Sequence, residues 1–449
     1  MLYRKYEQEI ERYLNTPGQA LLLTGARQTG KTFLVREMAG RSGRNFLEFN
    51  LIEQPEVARI FNESRNAKDF LMRLSLIAGR DMTDGSILFF DEIQEAADPV
   101  TLIKFLVDEG SYQYVFSGSL LGVELKDIRS VPVGYLHVME IYPLDFMEFL
   151  TAVGAGPRAV ETMRGCFRER KPVDSFMHDK FLEFFYLYLI IGGMPQAVQQ
   201  YLDTNNLQIV ADVHADIVAL YKRDFTKYEK KDKLKLEDIY DAIPSELNKQ
   251  NKRFIFTYLN KQLKFDRYEN SFLWLKDAGV AVPVYNAGEP RLPLEQSRSS
   301  NLFKLFMNDV GLLNSFYSTE VRLKILHHDQ DINNGALFEN AVSQQLTANG
   351  FTVYYSKSRK YGEIDLMVEC NGRIVPIEVK SGKAYHTHAA LDHLMDDPNY
   401  SIEESVVFSD ANTSRDGRIT YLPVYMASLL KNEEYADPIV TIDPGVLRE

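Results

Sequence analysis

Cysteine is almost missing from this chain: Cys166 and Cys370 are the two in 449 residues, far apart and in no CxxC pair. That excludes a disulfide framework and points to a reducing compartment. A surplus of positive charge is lacking too. Lys+Arg 51 against Asp+Glu 63 gives a net charge of -12, which excludes coating nucleic acid or anionic membrane through bulk charge. Any nucleic-acid contact has to be a local patch. Long apolar runs are also absent; "FFYLYLIIGGMPQAV" from Phe184 is too short to span a bilayer and is broken by Gly192, Gly193 and Pro195. The opening "MLYRKYEQEIERYL" mixes acids with bases, so no signal peptide is expected. Neither repeats nor low-complexity tracts occur. The expected location is cytoplasmic, with no membrane partner.

What remains is the composition of a soluble globular protein, 45% hydrophobic and 25% charged, long enough for two or three domains. A helix (Tyr6 to Leu14) precedes a buried strand (Ala20 to Thr24), a loop, and a helix from Lys31. Strand patterns recur at Asn45–Leu51, Ser86–Glu92, Tyr112–Ser119 and Leu136–Leu144, with helices from Glu56 and Asp69 between. This alternation predicts βαβ units and a parallel sheet. From Phe146 the pattern turns helical, with a helix-turn-helix and short hairpin over Ser245–Asn286. Asn286–Asn301 is the most linker-like segment. From Gly335 an α/β pattern returns: a helix, then strands "FTVYYS", "EIDLMVEC" and "RIVPIEVK", the last two joined by Asn371-Gly372, a hairpin signal.

The loop after the first strand reads Gly25-Ala26-Arg27-Gln28-Thr29-Gly30-Lys31-Thr32, a complete G-x-x-x-x-G-K-[ST]. Glycines let backbone N–H groups turn toward phosphate oxygens, and the following helix offers its positive end. Lys31 is expected on the β and γ phosphates and Thr32 on Mg²⁺. Asp91 and Glu92 end the apolar run Ile87–Phe90. At a parallel-sheet edge Asp91 would sit near Mg²⁺, with Glu92 near a water attacking the γ-phosphate. "YVFSGS" ends in Ser117, Gly118 and Ser119, which reads either as a plain turn or as a polar strand end near that phosphate.

Together "TGARQTGKT", "LFFDEIQ", "VFSGSLL", "IYPLDFMEFL", "IIGGMPQAV", "KLFMNDVGLL", "GALFENAV" and "IVPIEVKSG" resemble a prokaryotic family of AAA-type ATPases with a C-terminal restriction-endonuclease-like domain of unknown function. The resemblance implies an AAA-type ATP-binding domain over residues 1–150, a helical and winged-helix-like region over 151–300, and a nuclease-like α/β domain over 301–449. It implies ATP and Mg²⁺, with Lys31, Thr32, Asp91 and Glu92 in Walker roles and Ser119 near a sensor position. Many relatives carry Gly-Arg before the "YPL" strand where this chain has Gly134-Tyr135. Arg129 is a nearby substitute, and charge stabilisation at the γ-phosphate is left unassigned.

Glu339 falls on a helix, Asp365 on one strand, Glu378 and Lys380 on the next, in the order of a restriction-endonuclease-like centre. Asp365, Glu378 and Glu339 could hold a divalent metal that activates water, with Lys380, on the same strand face as Glu378, steadying the developing charge. The same residues also suit an ordinary hairpin with solvated charges. Lys249, Lys252, Arg253, Lys261, Lys264 and Arg267, interleaved with Phe254, Phe256 and Tyr258, form either a local nucleic-acid face or a solvated helix surface. Lys222–Asp238 is mixed charge and reads as surface. His327-His328-Asp329 and His386-Thr387-His388 lack metal-ligand spacing. Two functions follow. One is an ATPase moving a module that binds or cleaves DNA or other nucleic acid; the other is an ATP-driven switch with a non-cleaving docking module. Homo-oligomer formation stays open.

Overall fold

The computed structural model describes residues 2–16, 18–97, 99–119, 134–228, 233–249, 252–254, 269–329 and 331–433. Helix α1 (Glu7–Asn15) leads to β1 (Ala20–Thr24) and α2 (Lys31–Ser42). Then come β2 (Phe46–Asn50), α3 (Pro55–Glu63), α4 (Ala67–Ile77), β3 (Ile87–Asp91), α5 (Pro99–Glu109), β4 (Gln113–Ser117) and β5 (Leu136–Glu140). The strands form one parallel sheet, β2-β3-β4-β1-β5. Strand alternation divides its core into two faces: Ala20 and Leu22 pack with Val57, Phe70 and Leu106, whereas Leu21 and Leu23 pack with Ile10, Leu34 and Val35. All C-terminal strand ends share an edge, where Thr24, Asp91 and Ser117 arrive together.

Seven helices are described next: α6 (Phe146–Ala152), α7 (Pro157–Glu169), α8 (Ser175–Ile191), α9 (Pro195–Thr204), α10 (Leu207–Tyr228), α11 (Lys233–Leu247) and α12 (Glu269–Asp277). Asp145 and Glu148 start α6 with a reciprocal capping box. Among the described residues no single helix is long and apolar enough to cross a membrane; α8 and α9 bend by 117° at their junction.

The second sheet is mixed. Its strands are β6 (Ala281–Ala287), β7 (Arg298–Met307), β8 (Tyr354–Ser358), β9 (Gly362–Cys370), β10 (Arg373–Val379), β11 (Ser405–Ser409), β12 (Ser414–Asp416) and β13 (Ile419–Pro423). They order as β12-β13-β11-β10-β9-β8-β6-β7. Helices α13 (Val310–Asn314), α14 (Thr319–Leu326), α15 (Gly335–Ala348) and α16 (Ala389–Met395) accompany them. Asn371 and Gly372, at φ 51° and 72°, form the expected β9–β10 turn, where both central residues must be left-handed. The boundary expected at residue 300 falls inside β7. The linker-like Asn286–Asn301 instead joins the antiparallel β6–β7 pair, with Leu294 buried beneath it. Its turn-rich composition served a hairpin. The helix-turn-helix reading rests on 255–268, outside the described residues.

One apolar core runs from Phe146 through α8 and α15 to Leu430, so the helical region and second sheet are packed as one body. Its centre is polar. The buried Asp309 carboxylate accepts from Gly193 N (2.6 Å) and Leu312 N (3.1 Å), while Tyr188 OH donates to Leu144 O (2.7 Å) and accepts from Gln344 and Gln345 (3.0 Å each). Glycine is needed here because a Cβ on Gly193 would overlap Leu144 O, and one on Gly192 would overlap Asp309. Gly193→Ala is expected to cost at least about 2 kcal/mol by overpacking. Gly165→Ala, within α7 with open space around it, is expected to gain up to about 1 kcal/mol from helix propensity. Denaturant unfolding of both checks this, and equal stabilities would refute the packing argument.

Candidate functional site

The loop between β1 and α2 is curled by three left-handed residues, Gly25 (φ 114°), Gln28 (φ 66°) and Gly30 (φ 88°). A Cβ on Gly25 would overlap Ile141 O, so only glycine fits. Gly30 is the N-cap of α2 and supplies no side-chain cap, leaving the first helix amides without one. Thr29 is fully buried and its hydroxyl donates to Ala26 O (3.0 Å). Lys31 donates to Gly25 O (2.9 Å) and Ala26 O (2.7 Å). Burial lowers its pKa to about 8, against the opposing pull of Glu92 and Asp91.

Thr32 Oγ1 donates to Asp91 Oδ2 (2.8 Å), and Asp91 Oδ1 accepts from Glu92 N (3.1 Å) and from Ser117 Oγ. Glu92 is left-handed at φ 56°, a strained state for a side-chain-bearing residue, and its carboxylate meets Ser119 Oγ (3.3 Å) and Gln94 Nε2. Arg27 Nε donates to that same Ser119 Oγ (3.1 Å). Lys31, Thr32, Asp91, Glu92, Ser119 and Arg27 thus line one cavity of about 460 Å³. A glycine cradle, an uncapped helix start and a buried ammonium fit a polyphosphate; a hydroxyl hydrogen-bonded to a carboxylate fits Mg²⁺. A larger cleft of about 600 Å³ lies behind Gly25 between β5 and β6, and holds none of Lys31, Thr32, Asp91 or Glu92.

Several partners escape the motif. Arg4 donates to Thr29 O (2.8 Å) and Tyr142 O (2.6 Å) and pairs with Glu148 (3.0 Å). From α10, Tyr221 OH donates to Arg27 O (3.1 Å) and Asp224 pairs with Arg27 Nε (3.1 Å). Asp224 is buried, which corrects the reading of Lys222–Asp238 as surface. The helical spacing of Tyr221 and Asp224 was the available signal, hidden among neighbouring lysines. The Gly134-Tyr135 departure lies elsewhere. Leu136 pairs with Ala20 and Glu140 with Thr24, so Tyr135 sits at the far end of the sheet, under Lys104 (5.3 Å). Five strand residues set it roughly 16 Å from the loop's end. Arg129 lies outside the described residues.

The C-terminal candidates do converge. Lys380 Nζ bonds Glu378 Oε2 (2.6 Å), Val379 N bonds Asp365 Oδ2 (3.0 Å), and Glu339 approaches from α15. Burial and Asp365 push the Glu378 carboxyl up to about 8. Burial would raise Asp365 as well, but Lys304, Lys252 and Lys380 outweigh it and hold it low. Lys304, missed from sequence, is a fully buried ammonium paired with Glu363 (3.1 Å) and Glu339 (3.7 Å). Its clue was a lone lysine in the apolar run "LFKLFM". Lys252 also pairs with Glu339, and Lys357 with Glu363 (2.7 Å). Glu339, Glu363 and Glu378 therefore each pair with one or two of Lys252, Lys304, Lys357 and Lys380, and Lys304, Lys252 and Lys380 act on Asp365 through their charge. Among the described residues no three of His, Cys, Asp and Glu form a group able to hold a metal ion. Lysines pair with Glu339, Glu363 and Glu378, while Glu339 Oε2 and Glu378 Oε1 stay buried without a hydrogen bond.

Of the expected basic patch, Lys249 pairs with Glu246 and Lys252 with Glu339, so both turn to acids of the fold. Lys261, Lys264, Arg267, Phe256 and Tyr258 lie outside the described residues. His388 bonds Asp392 (2.9 Å) and Tyr421 (2.8 Å), and His328 stacks on Tyr186. Lys304→Met takes a buried partner from Glu339 and half-buried Glu363, leaving them Lys252 and Lys357, and is expected to lower stability by about 3 kcal/mol. Adding Glu339→Gln should recover part of it; a single variant as stable as wild type in denaturant would overturn the ion-pair account.

Residues 17–150 match a family described as an AAA domain. Residues 182–322 and 334–426 match two families each described as a domain of unknown function, DUF8612 and DUF4143, and neither description carries a restriction-endonuclease likeness. No curated protein matches the chain. Among solved structures it is similar to a Walker-type ATPase of Pyrococcus abyssi, at 15% identity over 70% of this chain and 95% of that one with a TM-score of 0.42. It is also similar to the Pif1 helicase of Candida albicans, at 13% identity over 40% and 47% with a TM-score of 0.24. Scores that low carry no argument. The AAA match does, because the curled loop, the acid pair and all five parallel strands lie inside it. Residues 17–150, about the first third of the chain, are thus similar to an AAA domain and carry the P-loop motif.

Proposed function

We propose that this protein binds ATP with Mg²⁺ on the Gly25–Thr32 loop and hydrolyses it, and that the nucleotide state governs the posture of the second sheet. One observation carries the reading: Lys31, Thr32, Asp91 and Glu92 meet in a single cavity on a loop that only glycine can close. Lys31 and the α2 N-terminus would hold phosphate oxygens, and Thr32 and Asp91 would hold the cation. Mg²⁺ supplies neutralisation of charge on the transferring phosphoryl group. Glu92 Oε2, which meets Ser119 and Gln94, would take a proton from an attacking water. The second sheet then acts as a non-cleaving module that docks a protein or nucleic-acid partner. The lysine-matched carboxylates favour this over cleavage through Asp365, Glu378 and Lys380.

Lys31→Ala is expected to abolish ATP binding, and Glu92→Gln to keep binding while lowering turnover about 10²- to 10⁴-fold. Undiminished turnover in either variant would remove the assigned site. Phosphate stabilises the ammonium form of Lys31, whose pKa in the free protein is lowered to about 8. ATP binding above that pH therefore takes up a proton, and affinity falls as pH rises through it. Calorimetry in buffers of differing ionisation enthalpy reads this, and an affinity flat across that range would contradict it. Mn²⁺ titration is expected to find no binding that Asp365→Ala removes; metal-dependent cutting of DNA or RNA, lost in Asp365→Ala, would restore the nuclease reading.

A further inference from the structure

Helix α10 approaches the nucleotide cavity with residues at helical spacing. Leu220 lines it, Tyr221 OH holds Arg27 O (3.1 Å), and Asp224, 3% exposed, pairs with Arg27 Nε (3.1 Å). The same Nε lies 3.1 Å from Ser119 Oγ, itself 3.3 Å from Glu92 Oε2. Arg27 thus stands between the acid pair at the sheet edge and an acid on a helix outside the sheet. Tyr221 OH also accepts from Asn308 Nδ2 (3.4 Å), which follows β7 directly. A guanidinium is a fork suited to phosphate oxygens, and the terminal phosphate of a triphosphate carries more charge than one carboxylate.

We propose that Arg27 is a phosphate-binding residue that distinguishes a nucleoside triphosphate from a diphosphate, by leaving Asp224 for the terminal phosphate and so loosening α10. The inference rests on nucleotide binding at the Gly25–Thr32 loop. The diphosphate lacks the group that competes with Asp224, so α10 stays held. With the triphosphate, the Arg27 side chain lets go of Asp224, and Tyr221, still on Arg27 O, passes the change to the start of α13.

Binding of a non-hydrolysable ATP analogue and of ADP, each with Mg²⁺, is measured for wild type, Arg27→Met and Asp224→Asn. Amide hydrogen exchange over Leu207–Tyr228 is followed in parallel. In wild type, exchange is expected to rise with the analogue and not with ADP. Arg27→Met should lose about tenfold in analogue affinity with ADP affinity unchanged, and α10 should then answer neither nucleotide. Asp224→Asn should bind the analogue more tightly than wild type and show raised exchange before any nucleotide is added. Arg27→Lys, which keeps the charge, should recover part of the analogue affinity whether or not Asp224→Asn folds. The proposal is overturned if Arg27→Met lowers the unliganded melting temperature yet leaves the analogue-to-ADP ratio and the α10 response as in wild type. Wild type binding neither nucleotide would overturn the loop assignment itself, a separate and recognisable failure.

Discussion

Arg4 fills a buried niche between Thr29 O, Tyr142 O and Glu148, and the phosphate loop takes its form from contacts of this kind. A loop meant for anions must keep its carbonyl dipoles away from the ligand, since each inward oxygen would repel phosphate charge. Here Thr29 O is engaged by Arg4, Arg27 O by Tyr221, and Ala26 O by Thr29 and Lys31. The Gly279 backbone closes from behind, where a Cβ would stand 2.9 Å from Ala26 N. The loop is therefore shaped by the N-terminal arm, by α10 and by the turn ahead of β6. None of these belongs to its own sheet.

That enclosure has a mechanical consequence. Ala281 opens β6 two residues after Gly279, and β6 lies between β7 and β8 in the second sheet. Close-packed interiors transmit displacement instead of absorbing it, because few voids exist to take up the strain. A shift of Ala26 thus presses on the turn that aims β6. The polar knot of Asp309, Gly193 and Tyr188 stiffens the same body.

What could be read from sequence was whatever is local. The loop's glycines, the apolar β1 and β3, and the Asn371-Gly372 turn each act through their own backbone, and each formed where their residues imply. Glu339, Asp365, Glu378 and Lys380 were likewise brought together, because strand spacing and one helix suffice to place them. What stayed hidden depends on distant chain. Asp224 looks like surface until Arg27 is beside it, and Lys304 looks like an interruption until Glu363 and Glu339 close over it. The Asn286–Asn301 stretch misled for another reason. A hairpin connection and an interdomain linker use the same turn residues, and only the pairing of Tyr285 with Phe303 tells them apart.

The buried lysines also change what the carboxylates mean. A divalent cation is attracted to a site with surplus negative charge and open oxygen ligands. Around Asp365 that surplus is already cancelled: Lys304 passes over the Tyr355 ring (5.2 Å) to Glu363, Lys252 covers Glu339, and Lys380 folds back on Glu378. A metal entering there would take carboxylates from Lys304, which is fully buried and would be left without its partners. Desolvated charges stripped of partners cost several kcal/mol each, so the arrangement resists the exchange. The same four residues that spell a nuclease centre in sequence can thus spell an ion-pair network in space. Lys304, on β7 and 61 residues ahead of Asp365, is what turns one into the other.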